Sequence, residues 1–289
     1  MDKTLPNSMK NANVTIERAG GRQLRTATWR LDDHSDHPPL LFFNGIGANI
    51  ESVAPMADAM TERAFIICDM PGTGDSPDPV VPYNHFTMSW TIARLLDRLQ
   101  VARVDIAGVS WGGALAQQFA LQHPGRVRKL VLAASAAGMA MVPGDAGTLS
   151  ALTDPVRHND RAYMNEVFAS LYGVTMGDEA RAEKAKHIGR LTPPSPIGYG
   201  YQLFSMMGWT SLPALPFLTI ETLIMIGGDD RLVPPLNGHI LNWAIPNSRL
   251  QVFEEAGHLF LLTHPEESLA AIRAFLDGVD STGSRPERV

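Results

Sequence analysis

The sequence predicts an α/β fold: a mostly parallel, eight-stranded sheet with helices on both faces and an inserted helical cap. Three observations predict it. Apolar runs of strand length alternate with longer helix-like stretches along the 289-residue chain. The alternation stops between Met139 and Leu212 and resumes afterwards. A serine in Gly108-Val109-Ser110-Trp111-Gly112 sits where a strand-like run gives way to a helix-like one.

Val14–Glu17 and Leu24–Trp29 read as an opening hairpin that turns at Gly20-Gly21. Leu40–Phe43, Phe65–Cys68, Val104–Ala107, Leu130–Ala133, Leu223–Ile226 and Leu250–Phe253 supply the other strands. Helices are expected over Val53–Met60, Met88–Leu99, Ala114–His123 and Leu236–Ala244. A last one runs from Pro265 to Leu276, with the proline suited to its first turn. The main domain thus takes 12–138 and 213–279, and the cap 139–212. That interval is too long for a loop. It is rich in Met, Pro, Gly and aromatics, among them Phe168, Tyr172, Tyr199, Tyr201, Phe204, Met206, Met207 and Trp209. The competing reading makes it a helical part of the main core. The segment 280–289 reads as a frayed tail.

Hydrophobic residues make up 45% of the chain and charged ones 19%, enough for a sizeable core. The net charge of −6 argues against a nucleic-acid partner. The single cysteine, Cys68, lies in an apolar run and reads as a small buried hydrophobe. One free cysteine fits a reducing compartment. Met1–Asn11 lacks an apolar leader core, and no run of about 18 apolar residues spans a membrane. The expected location is cytoplasmic.

A serine hydroxyl is a poor nucleophile at neutral pH and needs a base, which needs an orienting acid. Ser110 has the setting: a tight turn between strand and helix, flanked by glycines that leave it room. The acid follows the strand at Thr222–Ile226, in Gly227-Gly228-Asp229-Asp230. Asp230 is the choice from its spacing, with Asp229 as the alternative. The base is His258, just past the strand ending at Phe253 and freed by Gly257. Of the nine histidines, His34, His37, His123, His158 and His187 sit in polar stretches or at helix ends and read as solvated. His34 and His37 lack a third metal ligand, and His264 comes too late. No metal or cofactor is expected. An oxyanion needs positioned N–H donors. Trp111 should supply one and Ile46, in Asn44-Gly45-Ile46-Gly47, the other, with Gly45 next in line. Asp69–Ser76 matches a dinucleotide-binding loop only loosely, so it reads as a structural loop near the pocket.

These elements, in this order, resemble the α/β-hydrolase superfamily from about Val14 to Leu276. Leu41–Asn49, Gly108–Ala120, Leu130–Ala134, Ala136–Gly138, Met141–Gly144, Gly208–Ser211 and Gly257–Leu261 further resemble intracellular medium-chain-length polyhydroxyalkanoate depolymerases of pseudomonads. Asn44, where many of the superfamily have histidine, agrees with that family. The likeness is weaker within the cap, which decides substrate fit.

The resemblance implies a serine triad on Ser110, Asp230 and His258, and a storage-polyester substrate at granule surfaces. The expectation is hydrolysis through an acyl-enzyme to 3-hydroxy acids or oligomers. The alternatives are a carboxylesterase or lactonase on small soluble esters, acyl transfer to an acceptor other than water, and a non-hydrolytic binder on the same fold.

Overall fold

The computed structural model describes residues 9, 11–33, 35–153 and 185–278. Four residues singled out above, His34, His158, Phe168 and Tyr172, lie outside the described residues, as do the middle of the expected cap and the tail.

Eight strands form one sheet: β1 (Asn13–Ala19), β2 (Arg22–Trp29), β3 (Leu40–Phe43), β4 (Phe65–Cys68), β5 (Val104–Val109), β6 (Val127–Ala133), β7 (Glu221–Gly227) and β8 (Ser248–Phe253). Their order is β1-β2-β4-β3-β5-β6-β7-β8. Only the β1–β2 and β2–β4 pairings are antiparallel; β4 through β8 run parallel. Every parallel strand therefore ends on the same edge. Chain segments leaving β3, β5, β7 and β8 collect there.

The described residues include helices α1 (Ala54–Ala59), α2 (His85–Arg98), α3 (Trp111–Gln122), α4 (Ala146–Thr153), α5 (Pro196–Met206), α6 (Leu236–Ala244), α7 (Phe260–Thr263) and α8 (Pro265–Asp277). Strand residues alternate between two apolar layers, as a period of two requires. Leu41, Phe43, Ile106, Leu132 and Ile224 pack with Ile92 of α2, Phe119 of α3 and Leu241 of α6. Leu40, Phe42, Ala107, Val131 and Leu223 pack with Ala57 of α1 and Ile272 and Phe275 of α8. Cys68 is buried within the first layer, and burial pushes its thiol well above the usual range.

Several ends differ from the sequence expectation. Helix α2 starts at His85, not Met88, because Asn84 and Thr87 form a reciprocal cap. Helix α3 starts at Trp111, not Ala114; its two glycines face close neighbours and are held by packing rather than by propensity. The first expected helix is confined to the short α1 and is preceded by a 3₁₀ turn at Ile50–Ser52.

The excursion from the core leaves and returns at one point. Gly138 and Thr210 form an isolated antiparallel bridge. The Met139 N–H donates to the Trp209 carbonyl at 2.8 Å, and the Thr210 hydroxyl donates to the Ala137 carbonyl at 2.6 Å. Gln117 of α3 ties this neck down, donating to the Ala136 carbonyl at 3.0 Å and accepting from Ser211 at 2.6 Å. Apart from that bridge, the described residues of 139–212 hold helices and loops without a strand.

Candidate active site

The turn after β5 places Ser110 at φ 55° and ψ −119°, backbone that L residues adopt only under constraint. The constraint is steric. A Cβ on Gly108 would stand 2.4 Å from the Gly112 carbonyl oxygen, and one on Gly112 would stand 2.2 Å from that of Phe43. The turn is pinned by the Ser110 N–H donating to the Ala133 carbonyl at 2.9 Å and by the Ser135 hydroxyl donating to the Ser110 carbonyl at 3.1 Å. Ser110 thus projects from the sheet edge at the head of α3.

Asp230 and His258 meet on the same edge. Gly227 and Gly228 have no side chains, so the segment after β8 lies directly on them. A Cβ at Gly227 would fall 2.3 Å from the Ala256 oxygen. The Asp229 N–H donates to that oxygen at 3.0 Å. This contact brings His258 Nδ1 to 2.7 Å from Asp230 Oδ2, with both residues buried. The other carboxylate oxygen accepts the N–H groups of Leu232 and Val233 at 2.9 and 2.8 Å. Asp229 is exposed. The geometry therefore separates the two adjacent acids that sequence spacing left as alternatives.

The loop after β3 faces the elbow. Phe43 lies in register with Gly108, and a Cβ on Gly45 would be only 3.9 Å from Ser110 Cβ. Asn44 shapes this loop: its amide donates to the Asn49 carbonyl at 2.9 Å and to Ser52 at 2.8 Å. Its oxygen accepts the Gly45 N–H at 3.1 Å. That bond occupies Gly45, the second-choice oxyanion donor. No hydrogen bond among the described residues takes the N–H of Ile46 or of Trp111. Trp111 opens a helix, where the first N–H groups have no intrahelical acceptor.

Helix α5 closes over this region. The Trp111 indole donates to the Gln202 carbonyl at 3.0 Å and to Ser205 at 3.1 Å. The Gly47 N–H donates to Gln202 Oε1 at 2.8 Å. The Asp69–Ser76 loop is the seat of α5: the Gly72 carbonyl accepts the Ser195 N–H at 2.7 Å, and a Cβ on Gly198 would stand 2.6 Å from Gly72 Cα.

Sequence reasoning missed two residues here, Gln202 and His85. His85 is fully buried; its Nδ1–H donates to the Ser205 carbonyl at 2.9 Å. Its ring centroid lies 5.0 Å from that of Trp111 and 4.7 Å from that of Trp209. Burial holds its imidazole down to about 4. Two histidines expected to be solvated are half-buried: His123 Nε2 and His187 Nδ1 are sealed from solvent, and burial lowers both pKa values.

A serine at a strained strand-to-helix turn, an acid after β7 and a histidine after β8 define the α/β-hydrolase class, and the α/β-hydrolase-fold family model matches residues 38–265. Solved structures of this fold include an esterase from Exiguobacterium antarcticum, with TM-score 0.76 and 22% identity over 91% of this chain and 98% of that one. Another is the enol-lactonase from Burkholderia xenovorans LB400, with TM-score 0.77 and 20% identity over 91% and 100%. Among curated proteins, the chain is 42% identical to the poly(3-hydroxyalkanoate) depolymerase of Ectopseudomonas oleovorans over 82% of its own length and 84% of the relative's. It is 30% identical to a 2-hydroxymuconate semialdehyde hydrolase of Pseudomonas putida over 91% and 96%. The chain belongs to the α/β-hydrolase family, in its poly(3-hydroxyalkanoate) depolymerase branch, and is a carboxylic ester hydrolase. Among the described residues no helix is long and apolar enough to cross a membrane.

Proposed function

We propose that this protein hydrolyses medium-chain-length poly(3-hydroxyalkanoate) through an acyl-enzyme on Ser110. The observation that carries the chemistry is the buried 2.7 Å pair of His258 and Asp230 on the sheet edge that presents Ser110. The 42% identity to a poly(3-hydroxyalkanoate) depolymerase supports the polyester as substrate.

Asp230 accepts a hydrogen bond from His258 Nδ1–H, which keeps the proton there and leaves Nε2 as the basic nitrogen. Nε2 takes the Ser110 hydroxyl proton as Oγ bonds to the ester carbonyl carbon. The Ile46 and Trp111 N–H groups receive the resulting oxyanion. The carbon–oxygen bond to the leaving 3-hydroxyl then breaks, and His258 returns the proton to that oxygen. Water enters, gives a proton to His258 and attacks the acyl-enzyme. The acyl carbon–Oγ bond then breaks, His258 returns that proton to Ser110 Oγ, and the 3-hydroxy acid or oligomer leaves.

Residues 139–212 serve as a cap that holds the alkyl side chain. Its helix α5 exposes Ile197 and Phe204, and Met207 just after it is exposed too, an apolar surface suited to a hydrophobic granule in the cytoplasm. Incubation with medium-chain polymer latex and with p-nitrophenyl butyrate tests the substrate. Clearing of the latex is expected; short-ester turnover with no clearing would instead mark a small-ester hydrolase.

A further inference from the structure

Gln202 carries a hydrogen-bond donor that none of the described residues uses. Its side chain is fully buried within the turn of α5 that covers the elbow. A backbone N–H can only donate, so the carboxamide must turn its oxygen to Gly47, and the 2.8 Å bond fixes the amide orientation. The Nε2 group is thereby left as a donor, sealed from solvent and without an acceptor among the described residues. A buried donor with no partner is destabilising, and its presence asks for a partner that arrives later.

The location identifies that partner. Gly47 follows Ile46, whose N–H is one proposed oxyanion donor. The Gln202 carbonyl accepts from the indole of Trp111, whose backbone N–H is the other. Gln202 therefore bridges the two segments that carry the proposed oxyanion donors. In a 3-hydroxyalkanoyl group the nearest further oxygen is the one on carbon 3. A plain fatty acyl group has only a methylene there.

We propose that Gln202 is a specificity-determining residue whose Nε2–H donates to the oxygen on carbon 3 of the bound acyl group. This rests on the polyester reading above. A site built to hydrogen-bond a substrate oxygen discriminates against an analogue lacking it, because the donor is then left unpaired in the complex.

The test compares p-nitrophenyl 3-methoxydecanoate, whose ether oxygen can only accept, with p-nitrophenyl decanoate. The quantity read is the ratio of their kcat/KM values. In the wild type the ratio is expected to favour the methoxy ester by about tenfold. Gln202→Glu keeps an oxygen for the Gly47 N–H but replaces the donor with an acceptor, and Gln202→Met removes both. Both variants should lose that preference. A wild type indifferent to the oxygen on carbon 3 would overturn the proposal without any variant. So would a fall in both esters by the same factor in Gln202→Glu, which would mean that the residue only braces Gly47. Latex clearing reports separately on the polyester reading, since both p-nitrophenyl esters suit any esterase.

Discussion

Asp230 holds His258 with one carboxylate oxygen, 2.7 Å from Nδ1, and anchors itself with the other on the Leu232 and Val233 N–H groups. Two backbone donors and one imidazole thus fix both partners, and the pair fixes which ring nitrogen carries the proton. Asp230→Asn would offer an amide where a carboxylate accepts and favour the wrong tautomer. Its kcat should fall about 10⁴-fold with the fold intact. Asp229→Asn, at an exposed neighbour, should stay within about twofold. Steady-state kinetics of the two variants on one p-nitrophenyl ester separate the adjacent acids, and equal losses would contradict the assignment.

Backbone strain at Ser110 gives a stability test. Its φ of 55° suits glycine better than alanine, which carries the same Cβ clash as serine. Ser110→Gly should therefore unfold at higher urea than Ser110→Ala, with a difference of about 1 kcal/mol. Both lose the nucleophile, so the comparison reads strain independently of chemistry. A less stable glycine variant would mean that the elbow stores no strain.

His85 supplies a pH test whose sign follows from burial. Its imidazole titrates at about 4 in the fold against an ordinary value of 6.5. Between those values the unfolded chain binds a proton that the folded chain refuses, so stability is lost as pH falls through that window. The loss contributed by this group reaches about 3 kcal/mol below pH 4. His85→Phe lowers stability at pH 7, because the Ser205 carbonyl loses its donor, but should flatten the decline between pH 6.5 and 4. Urea titrations of both proteins across that range check it; parallel pH profiles would show that another group is responsible.

The seat of α5 can be tested with two glycines of one helix. A Cβ on Gly198 runs into Gly72, whereas Gly200 meets nothing within 4 Å. Gly198→Ala should cost about 1–3 kcal/mol. It should also lower esterase activity by shifting Gln202 off Gly47. Gly200→Ala, at an exposed helical position, should stabilise by up to about 1 kcal/mol. Thermal melts and kcat/KM of the pair decide the matter; equal behaviour would mean that the helix is not seated on this contact.

The elbow, the acid and the base were legible because each depends on local order: a buried strand, then a short polar turn with glycines. Of the two oxyanion-donor candidates in the loop after β3, Gly45 has its N–H taken by the Asn44 side chain. What remained hidden depends on contacts far apart in sequence. Gln202 meets Gly47 across 155 positions, and its only sequence signal is a single amide in the largely apolar run Pro196–Met206. His85 lies ahead of the helix expected from Met88, and only the fold brings Trp111 and Trp209 around it. The start of α3 was missed because Gly112 and Gly113 look like a turn; tertiary packing overrides that preference. Residues 154–184, which complete the expected cap, lie outside the described residues.

The central claim, that Ser110 opens a polyester through an acyl-enzyme, is tested most directly by the release of 3-hydroxy acids from medium-chain poly(3-hydroxyalkanoate) latex. Wild type and Ser110→Ala are compared at equal concentration. The expected result is steady release by the wild type and a rate about 10⁶-fold lower for the variant, because the serine, histidine and aspartate act as a unit. A variant that keeps release within tenfold of the wild type would contradict the account.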